Sequence, residues 1–273
     1  MEHLQFEPYD ALREYVENII ILKINFSIDR GLSPVYKFVP THTRFLCFYL
    51  HDRIKVKKNG DFILKKEALI IGPQLEPVTL DLGAQHHAVI VALKPCSLFR
   101  LLGIPMNEII DQDIDARLLM GSEIDELLDR LLEAKNGEKQ NSIIQHYLMS
   151  KLLKLRPALP FDLAMLKLVS AGGNLSIDYI AAQSCLSTRQ LERICQERIG
   201  LSPKLYARMV RFSHAYKCKE NFPDLSWTEI SNLCGYYDQM HLIRDFKVFA
   251  GFTPGTLTKE DIQNSVRFQA LAD

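Results

Sequence analysis

Ser176-Ile-Asp-Tyr-Ile-Ala-Ala-Gln-Ser-Cys-Leu-Ser-Thr-Arg-Gln-Leu-Glu-Arg-Ile-Cys-Gln-Glu-Arg-Ile-Gly-Leu-Ser-Pro203 decides the fold, because a second version of it begins fifty residues later at Ser226 and runs to Pro254. Ile180 answers Ile230, Ala181 answers Ser231, Leu191 answers Leu242 and Arg193 answers Arg244. Gly200-Leu201-Ser202-Pro203 answers Gly251-Phe252-Thr253-Pro254. The offset grows by one residue between Leu186-Ser187 and Tyr236-Tyr237-Asp238, where a turn is expected. An internal duplication of this size means two copies of one small helical unit.

Each copy has the punctuation of a helix-turn-helix. Ser176 and Ser226 are expected to cap a first helix by accepting from its orphan amides, with Glu229 placed to complete a capping box. Ser187, with Gln190 three residues on, and Asp238 are expected to cap the second helices. Gly235 suits a left-handed turn position, and Cys185 stands there in the first copy at an expected cost of about 1 kcal/mol. Ala181 and Ser231 are small enough for close helix approach. Leu191 with Ile194, and Leu242 with Phe246, form the apolar stripe of each second helix.

With those stripes turned inward, Arg189, Gln190 and Arg193 project from the first unit, and Gln239, Met240, His241, Ile243 and Arg244 from the second. Arginine and glutamine near a helix start are the side chains that read guanine and adenine edges in the major groove. Ser187 and Asp238, through the helix starts they open, and Lys247 are expected at phosphates. Between the units Pro203 opens a helical run to about Asn221, stopped before Pro223. At 1.5 Å per residue such a run is on the order of 28 Å long. That would set two reading helices roughly one DNA turn, about 34 Å, apart.

These residues resemble the AraC/XylS family of bacterial transcriptional regulators over about the last hundred residues. The segment from Gly235 to Pro254 is similar to the family's signature of a glycine-aromatic turn, Asp-Gln, Arg-x-Phe-Lys and Gly-x-Thr-Pro. Leu242, Arg244 and Phe246 keep its Leu-x-Arg-x-Phe pattern, whereas the first unit has Leu191, Arg193 and Cys195. The resemblance implies a two-unit DNA-binding domain and recruitment of RNA polymerase.

The remainder of the 273 residues reads as a second domain of ordinary size. From about 15 to 93 short apolar runs alternate with turn residues: NIIILKINF, PVYKFV, RFLCFYL, RIKVKK, DFILKK, ALIIG, PVTLDL and HHAVIVAL. Asn59-Gly60 is a hairpin signal. Antiparallel strands at this spacing suggest a small barrel or sandwich. Amphipathic helices follow over about 96–156 and end near Pro157 and Pro160. The expected class is therefore α+β, with a β-barrel or sandwich plus helices over 1–158 and an all-α domain over 159–273. Within the latter the first helix-turn-helix covers about 176–199, the linker helix about 203–221 and the second unit about 226–250. The first half also resembles the cupin-like sensor portion of some AraC-type regulators, through Lys94-Pro95 and the Leu101-Leu102-Gly103-Ile104-Pro105 run. That implies a small-molecule effector, homodimerisation, or both. The apolar stripe Ile143, Ile144, Tyr147, Leu148, Leu152 and Leu155 would serve either the domain's own core or a second subunit.

Composition narrows the rest. The formal charge is zero, and Ser176 to Leu257 holds ten lysines and arginines against eight acids, so a few specific arginines rather than a basic carpet must supply affinity. The N-terminus lacks a signal peptide pattern and no run spans a membrane, so double-stranded DNA in the cytoplasm, at the nucleoid, is the expected setting. Six cysteines without a C-x-x-C pair read as buried thiols, with redox sensing by Cys185 and Cys195 as the alternative. His42, His51, His86 and His87 are available as metal ligands, yet His86 and His87 would point to opposite faces of a strand. No nucleophile elbow, P-loop or dinucleotide fingerprint occurs, so no enzyme and no cofactor is expected. The alternatives are a helix-turn-helix protein acting through protein contacts and, more remotely, a cupin-type enzyme fused to a DNA-binding domain.

Overall fold

The structure, a computed structural model, describes residues 1–29 and 32–257. The end of the expected C-terminal domain, 258–273, lies outside the described residues.

Ten strands build two antiparallel sheets. They are β1 (Glu2–Phe6), β2 (Val16–Asn25), β3 (Val35–Phe38), β4 (Arg44–Tyr49), β5 (Lys55–Lys58), β6 (Asp61–Leu64), β7 (Ala68–Ile71), β8 (Val78–Asp81), β9 (Gln85–Leu93) and β10 (Asp113–Asp115). The larger sheet has the order β1-β2-β9-β4-β7-β10, and the smaller β3-β8-β5-β6. Asn59 and Gly60 both have positive φ, +53° and +95°, the backbone that a tight β5–β6 hairpin requires. Two strands escaped sequence reading. β1 precedes the strand region, and the three-residue β10 lies inside the stretch expected to be helical; neither carries a long apolar run.

The six-stranded sheet is buried on both faces, and its alternation sorts side chains into two cores. Ile19, Ile21, Leu46, Phe48, Val89 and Val91 face the helices, whereas Ile20, Leu22, Phe45, Cys47, Ala88 and Ile90 face the smaller sheet. This two-sided burial explains why β2 and β9 read as continuous apolar runs. Against the first face pack α1 (Ser97–Leu102), α2 (Ala116–Met120), α3 (Glu123–Glu133) and α4 (Gly137–Lys151). Ile143, Ile144, Tyr147 and Leu148 of α4 are buried in that same core, so most of the stripe serves its own domain. The second face bounds a cavity of about 480 Å³ between the sheets.

Six helices follow among the described residues: α5 (Pro160–Ser170), α6 (Ile177–Gln183), α7 (Thr188–Ile199), α8 (Pro203–Asn221), α9 (Trp227–Leu233) and α10 (Gln239–Phe249). They share one core, to which the first half contributes Val39 and Cys96. The seam between the halves holds a buried ion pair in which Arg198 Nε and Nη2 donate to the two carboxylate oxygens of Asp162, at 2.8 and 2.7 Å. The same guanidinium lies 4.7 Å from the Phe99 ring centre. Arg44, also buried, donates to the carbonyls of Thr41 and Thr43 and reaches the carbonyl of Ile199 at 3.5 Å.

His86 and His87 do lie on opposite faces of β9, but both are buried. His86 lines the cavity, and His87 Nε2 meets Gln140 Oε1 at 3.2 Å. Because Gln140 Nε2 donates to the Leu131 carbonyl, its oxygen must accept, and the His87 proton sits on Nε2. Burial is the main cause that pushes each imidazole down to about 4. Unfolded histidine takes its proton below about 6.5. Between pH 6.5 and 4 the unfolded chain therefore binds more protons, and stability falls as pH falls; above 6.5 neither ring contributes. For His86 the loss is on the order of 3 kcal/mol at full extent. Urea melts should show this loss between pH 6.5 and 4, and a His86→Leu chain should show a shallower one. An equal slope in both chains would refute it.

Candidate nucleic-acid interface

The two units are built by their caps. Ser176 Oγ accepts from Tyr179 N at 3.1 Å to start α6. Ser187 starts α7 in a reciprocal box: its Oγ accepts from Gln190 N at 3.3 Å and its own N donates to Gln190 Oε1 at 2.9 Å. Ser226 and Glu229 make the same box at α9, at 3.2 and 2.7 Å. Asp238 starts α10 by accepting from His241 N at 2.8 Å. In the turns Cys185 and Gly235 occupy equivalent left-handed positions, with φ of +55° and +71°. Cys185 thus tolerates a backbone that glycine adopts freely.

The second helices of both units, α7 and α10, dock on α8. Leu191 and Cys195 of α7, and Leu242, Phe246 and Phe249 of α10, are fully buried. Phe246 is the hub of the second unit, with ring centres of Phe212 at 5.0 Å, Trp227 at 4.9 Å and Tyr216 at 6.0 Å. Cys195, its counterpart, brings no ring, and burial pushes its thiol well above the usual range. Cys218 of α8 and Cys234 at the end of α9 share a hydrogen bond. Their spacing in sequence gave no hint of it.

The outward faces carry most of the expected readers. Arg189, Gln190 and Arg193 are exposed on α7, and Gln239, Met240, His241 and Arg244 on α10, while Ile243 is half-buried. Several are already engaged. The Gln190 carbonyl is turned back on Ser187, leaving its amide to donate. Arg193 lies 3.6 Å from Glu197. Gln239 Oε1 accepts from Thr228 Oγ1 at 3.4 Å, and His241 Nδ1 meets Asp238 Oδ1 at 2.8 Å. The amide and ring of His241 hold the Asp238 carboxyl below the usual range, so Asp238 presents negative charge where a phosphate was expected. Ser187 and Asp238 therefore act first as helix caps, whereas Lys247 is exposed.

Three of the basic residues turn out to be internal ties. Arg198 is paired with Asp162 across the seam. Arg208 of α8 donates to Asp245 Oδ1 of α10 through Nε at 3.0 Å and Nη2 at 2.7 Å. Arg211 donates to Asn174 Oδ1 and the Gly173 carbonyl, both at 2.9 Å. Asn174 also donates to the Cys234 carbonyl at 3.2 Å, joining the two units. Exposed cations are then Arg189, Arg193, Lys204, Arg244 and Lys247. Elsewhere His51 is exposed, and among the described residues no three His, Cys, Asp or Glu side chains converge on a metal site. Among the same residues no helix is long and apolar enough to cross a membrane.

The strained turn can be tested directly. Cys185→Gly should stabilise the chain by about 1 kcal/mol in urea unfolding. Gly235→Ala should destabilise it by more than about 1 kcal/mol, since its φ is +71° and a methyl there would lie 2.6 Å from Asn174 Oδ1. Equal stability of both variants with the native chain would contradict the assigned turn backbone.

Comparison with known proteins finds a separate family model in each half of the chain. A helix-turn-helix domain model matches residues 180–260, and a model described as a domain of unknown function, DUF6597, matches residues 4–115. The Msm operon regulatory protein of Streptococcus mutans is 36% identical over 94 residues, which are 34% of this chain and 33% of that protein. The chain thus aligns with only about a third of that relative's length. A structure of ToxT from Vibrio cholerae aligns with TM-score 0.48 and 10% identity over 91% of this chain and 98% of its own. The AraC-like transcriptional activator CuxR aligns with TM-score 0.19 and 12% identity over 96% of this chain and 73% of its own. With two capped, duplicated units on one connecting helix, and with the family model falling on them, residues 180–260 form a helix-turn-helix domain of the AraC type.

Proposed function

We propose that the chain is a sequence-specific DNA-binding transcriptional regulator of the cytoplasm in which α7 and α10 enter successive major grooves of one duplex. The observation that carries this reading is the docking of both helices on α8 with arginine-bearing faces outward. The helix α8 has 19 residues, and at 1.5 Å per residue it is on the order of 28 Å long, close to one DNA turn of about 34 Å. Arg189 and Arg193 read in one groove, with the Gln190 amide beside them. Gln239, Met240 and Arg244 read in the next, with His241 and Ile243 at its edge and Lys247 on phosphate. Recruitment of RNA polymerase is the accompanying role. The relative named as an operon regulatory protein supports the regulatory part.

The first half is the sensor in this reading. Its cavity of about 480 Å³ falls within the roughly 300–1,000 Å³ of small-molecule sites and is where an effector binds. Homodimerisation is the other role open to this half.

Arg244→Ala should weaken binding to a selected site by about 1–3 kcal/mol and relax specificity at one or two base positions. Lys247→Ala should weaken all sequences alike and reduce the salt slope by about one. Unchanged affinity and sequence preference in Arg244→Ala, measured by fluorescence anisotropy at fixed salt, would remove α10 from the groove.

A further inference from the structure

The smaller sheet ends in an open edge. β6 pairs with β5 on one side and, among the described residues, with no strand on the other. Phe62, Ile63 and Leu64 are 40, 45 and 48% exposed there. No lysine, proline or bulge interrupts the run between Asp61 and Lys65, although those are the devices that usually blunt such an edge.

The β5–β6 ladder fixes which backbone groups face outward. Lys58 lies opposite Asp61 across the Asn59-Gly60 turn, and the register continues through Val56 and Ile63 to Ile54, whose carbonyl accepts from Lys65 N at 2.9 Å. Antiparallel partners alternate between bonded and non-bonded pairs. Asp61, Ile63 and Lys65 thus direct their N–H and C=O groups to β5, and those of Phe62 and Leu64 point out of the sheet. Side chains alternate in the same way. Phe62 and Leu64 lie on one face, where Lys57 Nζ stands 5.9 Å from the Phe62 ring centre, and Asp61, Ile63 and Lys65 lie on the other.

Asp61-Phe-Ile-Leu-Lys65 is complementary to itself when one copy runs antiparallel to another. Outward groups must meet outward groups, so a symmetric pairing that keeps the apolar run in contact is centred on Phe62, Ile63 or Leu64. Centring on Phe62 sets Asp61 against Ile63. Centring on Leu64 sets Ile63 against Lys65 and Asp61 against Glu67. Centring on Ile63 instead sets Phe62 against Leu64, Ile63 against its own copy, and Asp61 against Lys65 at both ends. Lys65 holds Asp113 at 2.8 Å, and an ammonium has three donors, so a second carboxylate is accommodated. Lys66 then falls opposite Gly60, which brings no charge against it.

We infer that β6 is the surface through which two copies of this chain associate, continuing the smaller sheet across a two-fold axis at Ile63. Homodimerisation, named above as the other role of the first half and the reading on which this rests, thereby gains an interface and a register. A two-fold contact relates the copies by rotation, so an associated pair carries its helix-turn-helix units as inverted copies. An edge this short buries less than a permanent dimer needs, so association depends on concentration.

Sedimentation velocity of the full chain without DNA tests the surface. The sedimentation coefficient should rise with concentration from that of one chain to that of two. Leu64→Pro removes an outward N–H and leaves the bonds to β5 in place, and Asp61→Lys sets like charges face to face. Each should weaken association about tenfold or more, since the axis makes every change count twice. Cross-linking reads the register. In a Cys185→Ser chain, which lacks the exposed native thiol, Ile63→Cys should give a disulfide-linked dimer with diamide, because opposed residues of a non-bonded pair have Cα atoms about 4.5 Å apart. Phe62→Cys and Leu64→Cys should not, since each meets its own copy only across a diagonal of about 7–8 Å. A chain that stays single at every concentration, or cross-linking at 62 or 64 in preference to 63, would overturn the inference. Association that neither Leu64→Pro nor Asp61→Lys weakens would overturn this edge while keeping homodimerisation. None of these readouts uses DNA, so selection of duplex DNA by the same preparation separately reports whether the regulator reading stands.

Discussion

In the proposed two-groove reading α7 and α10 must keep a fixed separation, and that constraint falls on α8. Its 19 residues carry Tyr206, Met209, Val210 and Phe212 into the shared core. Burying each such side chain contributes roughly 1.5–3 kcal/mol, so the connector cannot pivot without losing several of them. Arg208 then ties α8 to α10 through Asp245, and Arg211 ties it to the turn at Gly173-Asn174, from which Asn174 reaches Cys234 in the other unit. These charge-assisted bonds fix rotation where apolar packing alone tolerates sliding. They also turn Arg208 and Arg211 inward, so the proposed DNA contacts fall to a few exposed side chains.

The C-terminal architecture was legible because helix punctuation is local chemistry. Ser176, Ser187, Ser226 and Asp238 all accept from an amide in the first turn of the helix they open, as their spacing from the apolar stripes required. The positive φ at Cys185 followed from its alignment with Gly235. The strands β2 to β9 were legible as apolar runs between turn residues. What escaped was non-local. β1 and β10 are defined by pairing with β2 and β7 rather than by composition. Whether the α4 stripe faced its own domain or another was decided by where the sheet lay.

Site reading showed the same division. Exposure of Arg189, Arg193 and Arg244 followed from helical periodicity. The internal engagement of Gln190, and the anionic character of Asp238 at the start of α10, depend on hydrogen bonds that spacing alone leaves open. Arg198 and Arg208 counted among the ten cations of 176–257, yet their acidic partners Asp162 and Asp245 lie 36 and 37 residues away.

The central claim is that a single chain reads two grooves at a spacing set by α8. Selection from a random duplex pool by the full chain at fixed moderate salt tests it most directly. The account predicts an enriched motif with two short blocks whose centres lie about 10 base pairs apart. Enrichment of a single block, or of two blocks at no preferred spacing, would contradict it.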